Sequence, residues 1–398
     1  MASMRVLHIC TFDRGGAGLC CLRIHQALLN QGIDSNVLVM EKSSKDGRVV
    51  EYGKYISICR KIFNKILRTI GVELTDYNKV FNKSVATHQC FTIPTSWIDI
   101  SKHPLVKKAD IIHLHWINNF VDYPSFFKKV GKPCVWTLHD ENLFLGICHY
   151  QKDRETAGEL ERKYYQRKLQ YISEISKLGI VFLSSMMYEQ YCTNEVVSGR
   201  KLTIVNNAVD YNRYHPIDKK KARKYFNIND DSIVFSFVSA SLSDPRKGLD
   251  KLVEALSMLN DPRIKILAVG DIADYHIPAV VQAVGAIHDS EIMSMAYSCS
   301  DLFVMPSRQE AFAQAPLEAM SCGIPVVVFP VSGTKELITE DNGVLCNGFS
   351  VEDLKDGICK AMSHSYHGDI IRNDTIKRFS PESIAKKYIA FYKEVING

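Results

Sequence analysis

Short apolar runs rich in Val and Ile recur along almost the whole chain, each followed by an amphipathic stretch. In the first half they are Arg5–Cys10, Ser35–Met40, Asp110–His115, Pro133–Leu138, Gly179–Ser184 and Leu202–Val205. In the second half they are Ser232–Ser239, Arg263–Val269, Val281–Ile287, Leu302–Met305, Pro325–Phe329 and Gly343–Cys346. The runs are continuously apolar rather than alternating, as in parallel strands covered on both faces. The stretches between them have helical spacing; Leu249, Leu252, Val253, Leu256 and Leu259 mark one face. Strand–helix alternation over this length predicts an α/β protein of two doubly wound domains. Turn formers and Pro216 cluster at residues 206–216 and mark the break. The expected domains are therefore an N-terminal Rossmann-like domain over 4–205, a C-terminal one over 206–380, and a last helix over 381–398. Ser380-Pro381 supplies the start signal of that helix. Ligands of such domains bind at the carboxyl ends of the strands, so a cleft facing both sheets is expected to hold the substrate.

The 398 residues suit two domains, and 46% hydrophobic with 23% charged residues excludes fibrous and disordered classes. No apolar run reaches the roughly 18 residues of a spanning helix. The opening MASMRVLHIC lacks the pattern of a secretory leader, so none is expected. The 12 cysteines include no C-x-x-C pair and sit in apolar surroundings, which points to a reducing, cytoplasmic setting without disulfides or structural zinc. Charge is unevenly spread. Residues 1–200 hold 27 Lys+Arg and 19 Asp+Glu (27 − 19 = +8), whereas 201–398 hold 22 and 25 (22 − 25 = −3). The first half is thus expected to face something anionic.

Three clusters could carry chemistry. Asp13-Arg14-Gly15-Gly16-Ala17-Gly18 follows the first strand, where glycines let backbone N–H groups approach a phosphate or sugar. The spacing is not G-x-G-x-x-G, and Glu41 is the nearest acidic residue that could hold a ribose, so nicotinamide is not indicated. Asp244-Pro245-Arg246-Lys247-Gly248 places two cations before the helix from Leu249. Ser307-Arg308-Gln309-Glu310-Ala311-Phe312-Ala313-Gln314-Ala315-Pro316-Leu317-Glu318 places two carboxylates eight positions apart after the strand Leu302–Met305. Pro316 suits a first helical turn and Gly323 a helix end, which puts Glu318 in the first turn and Glu310 in the preceding loop. Each cluster alone is ordinary; their common position at strand ends is not.

The stretch from Gly285 to Gly343 resembles the signature of retaining glycosyltransferases of family 4, which have the GT-B fold. Glu310 and Glu318 match that family's Glu-x7-Glu motif. The Gly15-Gly16 turn, Trp136-Thr137-Leu138-His139-Asp140, Val205–Asp210 and Arg246-Lys247-Gly248 also have counterparts, closest to the branch that builds bacterial surface polysaccharides. The resemblance implies that Glu318 binds the nucleotide ribose and Glu310 the donor sugar. Lys247 with Arg246 would neutralise the diphosphate, and His139 would reach the sugar. Backbone groups near Phe312, Ala313, Gln314, Gly15 and Gly16 would add donors. Ala311 and Ala313 depart from the family, which often has glycine there. It further implies metal-independent, retaining transfer with no cofactor, a nucleotide-sugar donor with UDP favoured, and a lipid-linked glycan acceptor. The last helix would return to the first domain. No Asp-x-Asp ends a strand, and His113-x-His115 is read as structural.

From Lys54 to Gly71 the chain has five Lys+Arg and no acidic residue, with Lys54, Lys61, Lys65 and Arg68 opposite an apolar face. That pattern suits a helix lying in an anionic interface, so a peripheral location on the cytoplasmic face of the inner membrane is expected. Nucleic acid is not an expected partner. The competing readings are a glycoside hydrolase or phosphorylase using Glu310 and Glu318 as acid and base, and a non-catalytic sugar-nucleotide-binding protein.

Overall fold

The computed structural model describes residues 4–52, 76–87, 89–272 and 276–398. The chain divides into two compact units, one of Met1–Leu183, Met187–Val205 and Ile384–Gly398, the other of Ser184–Met186 and Asn206–Ser383. The first unit holds strands β1 (Arg5–Phe12), β2 (Asp34–Glu41), β3 (Val49–Glu51), β4 (Ile111–Leu114), β5 (Cys134–Thr137), β6 (Leu178–Phe182) and β7 (Lys201–Ile204). They form one sheet in the order β3-β2-β1-β4-β5-β6-β7. The second unit holds β8 (Ile233–Ser241), β9 (Ile264–Asp271), β10 (Val281–Ala283), β11 (Leu302–Met305), β12 (Val326–Val328) and β13 (Gly343–Leu345). Their order is β10-β9-β8-β11-β12-β13. The pairs in both sheets are parallel. Each sheet therefore repeats the doubly wound Rossmann order, as the alternation of the sequence predicts.

The apolar runs become strands because both of their faces are covered. Ile9, Ile112, Ile180 and Phe182 are fully buried in the first core, and Phe235, Ile266, Val304 and Val327 in the second. Strand β3 escapes sequence reading because its three residues are too short to form a run. The expected strand Val281–Ile287 stops instead at Ala283, and Gly285 turns the chain with φ +76°. In both sheets the connections run in opposite directions on either side of a switch point, between β1 and β4 and between β8 and β11. Loops leaving the carboxyl ends of these strands part there and leave a crevice.

The last helix, Pro381–Asn397, belongs to the first unit from Ile384 onward. Its fully buried Tyr388 and Tyr392 reach the sheet. The Tyr388 hydroxyl lies 3.0 Å from Thr137 Oγ1, and the Tyr392 hydroxyl lies 2.7 Å from His113 Nδ1. Gly179 on β6 makes room for the helix, since a Cβ there would stand 2.5 Å from Val395. Tyr392→Phe leaves His113 with an unpaired buried nitrogen and is expected to destabilise the first unit by about 1–3 kcal/mol in denaturant unfolding.

Candidate functional site

At the switch point of the second sheet, two loops are locked together. The Arg308 amide donates to the Arg246 carbonyl at 2.8 Å. Gly248 ends the first loop with φ +77°, and a Cβ there would stand 2.4 Å from the Pro306 carbonyl oxygen. Only glycine meets both demands. Gly248→Ala is expected to lower stability by roughly 1–3 kcal/mol from backbone conformation alone, with the Pro306 clash added. Guanidinium-induced unfolding measures this.

This locking sets Lys247 against Glu310, with Nζ 2.6 Å from Oε1 and the carboxylate side chain 14% exposed. Arg246 behaves differently from the expected second cation over a phosphate. Its Nε and Nη2 lie 3.0 and 2.7 Å from the two oxygens of Asp244. Burial pushes the Asp244 carboxyl up, but the guanidinium outweighs it and holds the acid below the ordinary carboxylate range.

The helix Gln314–Ser321 begins after Ala313, which has no side-chain oxygen to cap it. Its first amides, from Gln314 and Ala315, have no partner within the helix, and the positive end of the helix dipole lies there. Glu318 is the fifth helical residue, just past the first turn in which the sequence places it, because the helix starts at Gln314, before Pro316. It is buried and accepts a hydrogen bond from the Tyr297 hydroxyl at 3.0 Å. Burial first, and then the Glu318 charge, keep that phenol protonated. Phe312 and Ala313 are buried, and Gly333, with φ +78°, lies where a Cβ would strike the Phe312 Cα at 2.8 Å. Ser307 Oγ and Gln309 Oε1 are buried without a partner among the described residues. Polar groups that a ligand could satisfy thus stand on the same loop as Glu310.

In the first unit, Gly15 opens the helix Gly15–Asn30 with φ +69°, and the space over Gly15 and Gly16 is open. Gly18 does the close packing instead, since a Cβ there would lie 2.5 Å from the Phe12 carbonyl oxygen. Glu41 is held by Arg14 at 2.7 Å. Asp13 accepts from the Ser43 and Ser44 amides at 2.7 Å each, and these outweigh its burial and hold its acid low.

His139 follows β5, and its Nε2 lies 3.0 Å from His115 Nδ1. Burial lowers its pKa to about 4 against the pull of Asp140, so the ring is neutral. Next to it, Asp140 accepts from Trp116 Nε1 at 2.8 Å and from His149 Nδ1 at 2.5 Å. Burial opposes charge on His149, but Asp140 raises its pKa to about 10. His149→Phe leaves the half-buried Asp140 without its counter-charge, an expected loss of about 3 kcal/mol. The folded pKa is raised, so the contribution of His149 is complete below about 6.5 and disappears as pH rises through about 10. The stability gap between wild type and variant should narrow over that range in urea unfolding.

His8, His113 and His115 bring one ligand atom each within 4.8 Å of one another. His113 is already bonded through Nε2 to Thr137 (2.7 Å) and through Nδ1 to Tyr392 (2.7 Å), and His8 and His115 bond each other at 2.9 Å. A metal would have to break these bonds. Lys54, Lys61, Lys65 and Arg68 lie outside the described residues. Tyr297 and His149 were not expected, and His115 was read only as structural. The His-x-His spacing on one strand hinted at His115, but no local signal marks the other two.

Two Rossmann-like sheets, with Lys247, Glu310 and Glu318 near the switch point of the second, describe a doubly wound α/β protein. Residues 218–378 match the family described as glycosyl transferases group 1. The chain is 23% identical to an uncharacterized glycosyltransferase of Methanocaldococcus jannaschii over 82% of its own length and 88% of the relative's. It is also 23% identical to an uncharacterized 41.2 kDa protein in the cps region of Klebsiella pneumoniae, over 98% and 99% of the two chains. Among solved structures, Anabaena HepE in complex with UDP and glucose superposes with a TM-score of 0.66 at 18% identity, covering 98% of this chain and all of that one. The fold is that of the GT-B glycosyltransferases.

Proposed function

We propose that the protein is a retaining glycosyltransferase that moves a hexose or N-acetylhexosamine from a nucleotide-sugar, UDP-sugar favoured, to a lipid-linked sugar acceptor. The observation that carries this reading is the Lys247–Glu310 contact on the loops that lead to Glu318 and the uncapped helix. Breaking a sugar–phosphate bond leaves new negative charge on a nucleoside diphosphate while the anomeric carbon becomes cationic. Lys247 and the amides at Gln314 and Ala315 are the groups that stabilise that charge in the second unit. Donor binding would transfer Lys247 from Glu310 to the diphosphate and leave Glu310 to accept from sugar hydroxyls. Glu318, fixed by Tyr297, would accept from the ribose. Arg246 would have to leave Asp244 to join Lys247, so its contribution is smaller than that of Lys247. Gly15 and Gly16 would offer backbone donors, and His139 would hydrogen-bond the reacting sugar. Retention would follow from same-face attack, with the leaving phosphate taking the acceptor proton and no metal or protein nucleophile required. The HepE complex with UDP and glucose and the capsule-region relative support donor class and pathway.

The test is release of nucleoside diphosphate from UDP-, GDP- and ADP-sugars with and without a polyprenyl-diphosphate-linked glycan. Acceptor-dependent release is expected. Free sugar released from glycosides without nucleotide would instead mark a hydrolase, and nucleotide binding without turnover would mark a non-catalytic binding protein.

The lipid-linked acceptor places the enzyme at the cytoplasmic face of the inner membrane. Among the described residues no helix is long and apolar enough to cross a membrane. The basic stretch from Lys54 to Gly71 and the +8 charge of residues 1–200 support peripheral binding to anionic lipid. Lys129, in another basic cluster, is already paired with Asp99 at 2.7 Å. Co-sedimentation with anionic but not neutral liposomes is expected, and Lys61→Glu with Lys65→Glu should abolish it. Equal absence from both liposome types would overturn it.

A further inference from the structure

Three histidines form a hydrogen-bonded line through the first unit. His8 on β1 meets His115 after β4 (Nδ1 to Nε2, 2.9 Å), and His115 meets His139 after β5 (Nδ1 to Nε2, 3.0 Å). Parallel register makes this possible: His8 stands beside His113, two residues from His115, and His113 stands beside Val135 on β5. His8 and His115 are fully enclosed, and burial keeps both rings neutral at pH 7. Each neutral ring carries one N–H and one bare nitrogen. Each of the two contacts therefore needs one donor and one acceptor, and the protons along the line must all point the same way.

Only two arrangements satisfy both contacts. In one, His139 Nε2–H donates to His115, His115 Nε2–H donates to His8, and the His8 proton is left on Nε2. That nitrogen is buried with no partner among the described residues, so a hydrogen-bond donor is orphaned inside the unit. In the other, His8 Nδ1–H donates to His115 and His115 Nδ1–H donates to His139 Nε2. The unpaired atom is then a bare nitrogen on His8. Buried N–H groups without acceptors are rarer than acceptors left unsatisfied. The second arrangement wins, and it leaves the His139 proton on Nδ1.

We propose that the His8–His115–His139 line fixes His139 as the Nδ1–H tautomer, which makes His115 a positioning residue for the transfer reaction. His139 Nδ1 has no hydrogen-bond partner among the described residues and is not among the buried unpaired atoms. It can therefore present a fixed donor to an oxygen of the substrate, such as a sugar hydroxyl. It cannot accept a proton through Nδ1, so His139 does not serve as a general base by that atom. His115 thus controls, one ring away, what His139 offers. This rests on the reading that His139 touches the reacting sugar.

The experiment is long-range 1H–15N NMR of histidine-labelled protein at pH 7, with His8→Phe, His115→Gln and His139→Gln compared kinetically. In wild type the His139 Nδ1 signal should be that of a protonated nitrogen and Nε2 that of a bare one; this needs no variant to fold. In His8→Phe the unpaired buried atom becomes His115 Nε2, and the same preference for a bare nitrogen keeps His139 as the Nδ1–H tautomer. In His115→Gln the amide can turn to donate or to accept, so both tautomers of His139 should appear. Turnover should fall by about tenfold, the equivalent of one neutral hydrogen bond, with the donor KM nearly unchanged. A protonated Nε2 on wild-type His139 overturns the proposal. So does a His139 tautomer that ignores His115→Gln. If the tautomer shifts as described while His139→Gln keeps wild-type turnover, the line is supported, and the placement of His139 at the reacting sugar is what falls.

Discussion

Glu318→Ala is expected to weaken binding of the nucleotide donor by about 2–3 kcal/mol, or roughly 30- to 150-fold in Kd, because a charged acceptor is removed from a buried set of hydrogen bonds. The carboxylate is 8% exposed and held by the Tyr297 hydroxyl. The substitution therefore also orphans a buried donor and should lower stability by about 1–3 kcal/mol. Two readouts separate these effects. Calorimetric titration with the nucleoside diphosphate reports the loss of ribose contact. Tyr297→Phe removes the support but leaves the carboxylate, so it should reproduce little of the loss of affinity. If Glu318→Ala binds nucleotide as tightly as wild type, Glu318 does not hold the ribose.

Lys247→Ala is expected to lower kcat by about 10²–10³, in the range found when one preorganised donor to a developing negative charge is deleted. Its effect on donor Kd should be smaller, since the charge on the leaving diphosphate grows only as the bond breaks. In the free protein Lys247 lies 2.6 Å from Glu310. Removing it leaves a carboxylate where the diphosphate is proposed to bind, and repulsion is added to lost attraction. Lys247→Ala combined with Glu310→Gln should therefore recover part of the donor affinity lost in Lys247→Ala alone. Additive losses would mean that the two side chains act on separate parts of the ligand.

Much of the fold was legible because parallel strands covered on both faces must be continuously apolar, and Val326–Val328 or Ile111–Leu114 can hardly be anything else. Strand β3 was not, because three residues between polar neighbours leave no pattern. The loop carrying Glu310 was legible from its place after β11. The partners of these residues were less so. Asp244 takes the Arg246 guanidinium through a contact two residues apart, which the Asp-Pro-Arg sequence could have suggested. Tyr297 reaches Glu318 from a different helix, Ser290–Ser298, and only packing brings them together. The same holds for the line from His8 to His139, in which β1 and the segments after β4 and β5 supply one histidine each. Local propensity reports strands and turns; it does not report which polar groups meet once sheets have formed.

Sugar transfer itself is the most direct test of the proposed function. The protein, kept in excess chelator, is given UDP-glucose, UDP-N-acetylglucosamine and GDP- and ADP-linked sugars together with polyprenyl-diphosphate-linked glycans, and the products are followed by mass spectrometry and 1H NMR. The predicted result is a glycan longer by one sugar, formed in equal amount with nucleoside diphosphate, with the anomeric configuration of the donor retained and the reaction lost in Lys247→Ala. Cleavage of glycosides without any nucleotide, or transfer undiminished in Lys247→Ala, would contradict it.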